Sequence, residues 1–169
     1  FWMRVLGEEP VYYIHGEVEK NAEKMQKYLY NNGFFQSTVT FAPDTIFNRI
    51  KVTYHIAENR PTMIRNVEYH ITNAFADSLL TANHKDAALL SGKRYDGDAF
   101  EEERVRIETL FRNEGYMGFS RQNVTYLVND TLTNPQTDSA FKQVDVDVKV
   151  DMETSGDKRL DRYTFSSVN

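Results

Sequence analysis

Apolar residues along this chain recur with two periods. Between Val18 and Phe35, Val18, Ala22, Met25 and Leu29 fall at i, i+4, i+7 and i+11, while Glu19, Lys20, Glu23 and Lys27 take the other side. That spacing predicts an amphipathic helix, and the run ends in Tyr30-Asn31-Asn32-Gly33-Phe34-Phe35. Phe100 to Phe119 predicts a second helix of the same design, ending in Arg112-Asn113-Glu114-Gly115-Tyr116-Met117-Gly118-Phe119. With Gly33 set on Gly115, Val18 falls on Phe100, Met25 on Ile107, Leu29 on Phe111 and Phe34 on Tyr116. One unit is used twice. Arg104 falls where Ala22 lies in the first copy, so its stem must run along the edge of the core. In each copy a glycine can take the left-handed conformation that ends a helix, and the aromatic beyond it can fold back onto the last turn.

The second period is that of strands. After Gly33, Val39 and Phe41 alternate with Thr38 and Thr40, a turn is expected at Pro43-Asp44, and Ile50, Val52, Tyr54 and Ile56 alternate with Lys51, Thr53 and His55. These two strands form an antiparallel hairpin. Ala57 to Pro61 is a link too short to leave slack. Met63, Val67, Tyr69 and Ile71 then oppose Ile64, Asn66, Glu68 and His70 in a further strand. A helix follows over Asp77 to Leu90, capped by Asp77 or Ser78 and stopped at Gly92, and Asp96 or Asp98 caps the long helix. Asn123 to Val128 is a strand with Val124, Tyr126 and Val128 on one face. Asn129 to Gln143 is a long polar hairpin loop. Val144, Val146, Val148, Val150 and Met152 alternate with Asp145, Asp147, Lys149 and Asp151, with the apolar face against the helices and the charged face in water. Ser155-Gly156-Asp157 is a turn, and Leu160 to Val168 a strand that opens another unit. Phe1 to Leu6 ends an apolar element stopped by Gly7-Glu8-Glu9-Pro10.

Composition narrows the function classes. The chain has 169 residues, 40% hydrophobic and 27% charged, which suits globular domains. Its net charge of −5 disfavours a nucleic-acid or anionic-lipid surface. There is no cysteine, which removes disulfides and thiolate chemistry. No apolar run approaches the roughly 18 residues that span a bilayer. Phe1-Trp2-Met3 lacks an initiator methionine, and the chain reads as a fragment whose targeting sequence lies elsewhere.

Candidate chemistry is thin. His15, His55, His70 and His84 are scattered with no HExxH spacing, and His55 and His70 sit at outward strand positions where solvent exposure outweighs metal ligation. Asp96-Gly97-Asp98 resembles the opening of a calcium loop, but Ile107 stands where its glutamate belongs, so helix capping accounts for the pair. Glu101-Glu102-Glu103 is what the helix dipole favours in a first turn. Gly115-Tyr116-Met117-Gly118 fits the GxxG of a KH domain, yet it lies between a helix and a strand beside Glu114 rather than between helices. Asn123-Val124-Thr125 and Asn129-Asp130-Thr131 fit the glycosylation sequon.

The order strand, helix, helix, strand, strand, with a helix-Gly-aromatic-strand signature, resembles the POTRA domain. Gly92-Lys93-Arg94-Tyr95-Asp96, then Phe100-Glu101-Glu102-Glu103-Arg104-Val105-Arg106-Ile107 and Asn113-Glu114-Gly115-Tyr116, resemble the POTRA tandems of BamA/TamA-type outer-membrane assembly proteins. The resemblance implies an α+β fold of β-α-α-β-β units, each a small three-stranded mixed sheet covered on one face by two helices. Residues 1–61 would be a partial unit lacking its first strand, 62–154 a complete one and 155–169 the start of a third. It implies a non-catalytic periplasmic region of an outer-membrane protein in a Gram-negative bacterium, without cofactor or metal, with a β-barrel beyond Asn169. Its partners would be unfolded outer-membrane proteins or other secreted polypeptides and possible accessory subunits, with no nucleic acid.

In that family the second strand of a unit usually forms a sheet edge. Here this gives Val39, Thr40 and Phe41, and Asn123, Val124, Thr125, Tyr126, Leu127 and Val128, whose unpaired backbone groups can accept an added strand. The plain alternative is inert edges guarded by twist and charge. A proline at Thr125 tests that edge if its N–H faces outward. A two-partner secretion transporter and a stand-alone periplasmic scaffold are the other functional readings, separated by client range and by the presence of a barrel.

Overall fold

A computed structural model describes residues 12–47, 49–130, 142–154 and 158–164. The expected element at Phe1 to Leu6 with its stop, the loop segment 131–141 and the turn Ser155-Gly156-Asp157 lie outside the described residues.

Helix α1 spans His15–Asn31 and buries Val18, Ala22 and Leu29. It starts three residues before Val18 because Ile14, in extended conformation, accepts the first helical bonds from Glu17 and Val18. Strands β1 (Thr38–Ile46) and β2 (Arg49–Ala57) form an antiparallel hairpin. The turn is not at Pro43-Asp44. β1 runs through both residues, with Pro43 opposite Val52, and reverses after Ile46, where Phe47 takes φ 54°. Proline fits a strand whose N–H side faces no partner, and this position is such a site.

The second sheet has the order β3-β5-β4, from β3 (Thr62–Ile71), β4 (Val124–Asn129) and β5 (Lys142–Val150). β5 is central, parallel to β3 and antiparallel to β4. Its Val144, Val146, Val148 and Val150 are all buried, and at roughly 1.5–3 kcal/mol each they anchor the sheet. The alternation in β3 shifts phase, so Ile64 rather than Met63 is in the core. A bulge between Ile64 and Asn66 turns Thr62 and Ile64 inward before it and Val67, Tyr69 and Ile71 inward after it. Arg65, thrown outward, clamps Asp145 through Nε and a terminal nitrogen.

Helix α2 covers Ala74–Ala82, not Asp77 to Leu90, and Asn73 is its cap, accepting from the Phe75 and Ala76 N–H groups. A 3-10 turn at His84–Asp86 follows. Beyond it the chain is extended at Ala87, and the Ala88 N–H donates to a Glu103 carboxylate oxygen at 2.8 Å. Ala87 and Leu89 stay buried, so the apolar pattern marks core without marking helix. Helix α3 (Gly97–Asn113) is capped by Asp96 and buries Phe100, Glu103, Ile107 and Phe111. Both helix-ending glycines have positive φ, 83° at Gly33 and 95° at Gly115.

Asn123 belongs to a 3-10 turn ahead of β4, while Asn129 ends β4 and Lys142 and Gln143 open β5, which shortens the expected loop at both ends. No strand runs from Leu160 to Tyr163. The short pair β6 (Glu153–Thr154) and β7 (Lys158–Arg159) precedes it, then Leu160 donates to Met152 O and Tyr163 to Gly115 O. The hairpin and the second sheet meet where the turn after α1 lies against Thr62 and Tyr95. No described helix is long and apolar enough to cross a membrane.

Candidate partner-binding edges

β4 is an edge strand, so its outward backbone groups follow from the ladder. The Asp151 N–H donates to Asn123 O at 2.8 Å, which makes Asn123 and Asp151 a bonded pair. Bonded and non-bonded pairs alternate in an antiparallel ladder. Thr125, Leu127 and Asn129 therefore point their N–H groups at β5, and Val124, Tyr126 and Val128 point theirs away. Thr125 is thus the wrong residue for an outward proline. Part of the edge is also occupied. Arg104 Nε donates to Val124 O at 3.2 Å, and its guanidinium lies 4.9 Å over the Tyr126 ring. Tyr126 is fixed by its hydroxyl, which donates to Phe100 O at 2.8 Å, and burial pushes its phenol up from the usual range. Tyr126 and Val128 are what remain open.

The β1 edge differs. Proline at 43 and the closing pair Ile46–Arg49 both put the outward groups at Val39, Phe41 and Thr45, with Thr40 facing β2. Val39 and Phe41 also place their side chains against α1. Together with Ala22, Gln26, Lys27 and Tyr30 they line a groove between that helix and the open edge. Gln26 holds the start of the strand by donating to Ser37 O at 2.7 Å. Ala22 stands where Arg104 stands in the second unit, so the methyl group leaves open what the arginine fills. The hairpin tip is apolar as well, with Phe47 96% exposed beside Ile46 and Ile50. β3, the other edge of the second sheet, is covered over its first residues by the segment 92–95, through Ile64 N–H to Lys93 O and Tyr95 N–H to Thr62 O.

One buried charge was not expected from the acidic run. Glu103 is fully buried, and each carboxylate oxygen has partners: the Tyr69 hydroxyl at 2.8 Å, the Ala88 N–H at 2.8 Å, and Arg106 at 2.6 and 2.9 Å. Burial pushes its pKa up, but Arg106, Ala88 and Tyr69 together hold it below the usual carboxylate range. Burial and the Glu103 charge push the Tyr69 phenol up in turn. The sequence signal was position: Glu103 lies three residues after Phe100 and four before Ile107, on the apolar face. The network is fully partnered, so it ties α3 to β3 and to the Ala88 segment and leaves no group free to react.

His55 and His70 are exposed, as their outward strand positions required. His70 meets Asp147 at 3.5 Å, and with Glu68 these form the one histidine-carboxylate group among the described residues whose ligand atoms lie within 4.8 Å of one another. Lys149 is the ladder partner of His70 on the same face, and its charge opposes a cation there.

No protein-family model matches the chain, and no curated protein matches it in sequence. Solved structures do. BamA from Haemophilus ducreyi lacking POTRA domains 1–3 superposes with a TM-score of 0.52 at 16% identity, over 86% of this chain and 25% of that one. POTRA domains 3–5 of Haemophilus influenzae BamA match at 17% identity and TM-score 0.45, over 88% of this chain and 52% of theirs. POTRA domains 1–3 of Omp85 from Anabaena match at 16% and 0.38, over 90% and 56%. The chain thus spans between a quarter and just over half of these structures. At such identities the likeness is one of fold, and the first superposition carries it: the α+β arrangement of this chain is the POTRA fold.

Proposed function

We propose that this chain is the periplasmic interaction region of an outer-membrane β-barrel assembly or translocation factor, and that it holds extended polypeptide segments by strand addition. In this reading residues 1–61 belong to one POTRA unit, 62–154 form a second and 155–169 begin a third. Clients are unfolded outer-membrane proteins or other secreted polypeptides, with accessory subunits as further partners, and no chemistry is performed. The supporting observation is the β1 edge, where outward backbone donors at Val39 and Phe41 lie beside an apolar groove floored by Ala22. An added strand gains backbone hydrogen bonds from the edge and seats alternate side chains in the groove, which demands little of its sequence. The β4 edge serves this less well, because Arg104 already takes the Val124 carbonyl.

The test exploits the repeat. Ala22→Arg copies Arg104 into the first unit, and Arg104→Ala opens the second. With a fluorescent nine-residue peptide alternating apolar and hydroxyl side chains, Ala22→Arg weakens binding at least tenfold, and Arg104→Ala adds a second, weaker site. A folded Ala22→Arg variant that binds as tightly as the parent would sink the proposal.

A further inference from the structure

The turns that end α1 and α3 share three backbone bonds when Gly33 is set on Gly115, and the second turn adds one from the Met117 N–H to Gly115 O. Gly33 donates to Tyr30 O and Gly115 to Arg112 O; Phe34 returns to Leu29 O and Tyr116 to Phe111 O; Ser37 donates to Phe34 O and Phe119 to Tyr116 O. The match extends beyond the turn. The carbonyl of Gly33 accepts the Thr62 N–H at 2.9 Å, and that of Gly115 accepts the Tyr163 N–H at 2.9 Å. Thr62 is the first residue of β3, the strand that opens the next sheet. A Cβ would collide at both glycines with a backbone carbonyl, that of Tyr95 at 2.7 Å for Gly33 and that of Tyr163 for Gly115.

At the first turn the seat is filled. The Tyr95 ring lies 4.9 Å from that of Phe35, and Arg94 donates to Asn32 and lies 5.3 Å over Phe34. At the second turn the equivalents of Asn32, Phe34 and Phe35 are Glu114, Tyr116 and Met117. Arg162 holds Glu114 through its carbonyl at 2.8 Å and its carboxylate at 3.2 Å. Met117, in the place of Phe35, is 60% exposed.

We infer that Gly115 to Met117 is the docking seat for a further unit of the same kind, which the chain enters past Tyr163 as it enters the second sheet at Thr62. Its loop ahead of the long helix covers Met117 as Tyr95 covers Phe35. This rests on the tandem reading above. It makes the helix-ending glycine the joint between consecutive units, because only a residue without Cβ lets the next backbone approach so closely.

The chain has no cysteine, so single thiols report cleanly on residues 1–169. Met117→Cys and Phe35→Cys are alkylated with iodoacetamide in residues 1–169 and in the full-length gene product, and modification is read by peptide mass mapping. The thiol at 117 reacts at least tenfold slower in the full-length protein, while that at 35 is slow in both. Adding Gly115→Ala to the full-length Met117→Cys protein restores fast reaction. Equal rates at 117 in the two lengths, or protection that survives Gly115→Ala, overturn the seat. Peptide capture by the β1 edge in the same samples separates the two ideas: lost protection with capture intact overturns the seat alone, and lost capture in the parent overturns the interaction reading.

Discussion

Glu103 shows how one side chain can set the course of a connection. Its carboxylate takes the Ala88 N–H, which pins the segment after α2 to the long helix, and binds Tyr69 on β3 and Arg106 on its own helix. Removing it leaves the Arg106 guanidinium, only 16% exposed, without its counter-charge. Glu103→Ala is expected to cost about 3–5 kcal/mol in denaturant unfolding of the second sheet. Glu103→Gln, whose single amide oxygen can still accept from the Ala88 N–H while its NH2 turns to the Tyr69 hydroxyl oxygen, costs less, about 1.5–3 kcal/mol. The depressed Glu103 pKa gives stability that is full above the ordinary carboxylate range and is lost as pH falls through the folded value. The raised Tyr69 pKa works at the other end, where stability is full below the ordinary phenol value of about 10 and is lost as pH rises. Tyr69→Phe therefore flattens the alkaline limb of a stability-against-pH curve; an unchanged limb refutes this role. The acidic run at 101–103 hid the residue because dipole preference accounts for Glu101 and Glu102, and Glu103 differs from them only in facing the core.

At the scale of elements, α1, α3 and β5 were legible because each repeats its period over several turns or pairs. Elements with an interrupted period were not. The bulge at Arg65 reverses the alternation in β3, so Met63 and Ile64 exchange faces relative to a regular strand. Pro43 reads as a turn residue, yet it suits an edge strand on its open side, and this is why β1 outruns its expected end. α2 ends at Ala82 and the chain passes through a 3-10 turn, although Ala87, Leu89 and Leu90 continue an apolar pattern, and the Ala88 N–H bonds to Glu103 rather than back along a helix. Strands form at 39–41 and from Val124 on, with Asn123 left in the turn before β4, but which residues face outward depends on the ladder phase, and the contact of Arg104 with Val124 O leaves no mark in the spacing. The glycine that ends α1 makes the element-level prediction. Gly33→Ala forces φ 83° on a residue with a Cβ and drives that atom into Tyr95 O. It should cost about 1 kcal/mol or more and enlarge the radius of gyration in small-angle scattering, with circular dichroism unchanged. A variant as compact as the parent would mean that the joint does not depend on this glycine.

Across the molecule, two sheets are joined by a link with little freedom. Asn59 takes φ 58°, its side chain donates to Gln36 O at 2.7 Å, and Thr62 is already bonded to Gly33. Residues 57–61 should accordingly resist limited proteolysis, and Asn59→Ala should expose them; rapid cleavage of the parent there would contradict a fixed joint. The first sheet exposes more apolar surface than the second. One helix covers it among the described residues, and Ile50 and Ile56 are about half exposed where the β5 valines are buried. Ile56 lies across the ladder from Val39, on β1, whose open edge carries the functional account. Amide hydrogen exchange with and without a saturating extended peptide tests that account most directly. Strand addition predicts at least tenfold slower exchange at Val39 and Phe41, whose donors face outward, with Thr40 unchanged because its donor already faces β2. Peptide binding that leaves Val39 and Phe41 exchanging at their free rates would contradict it.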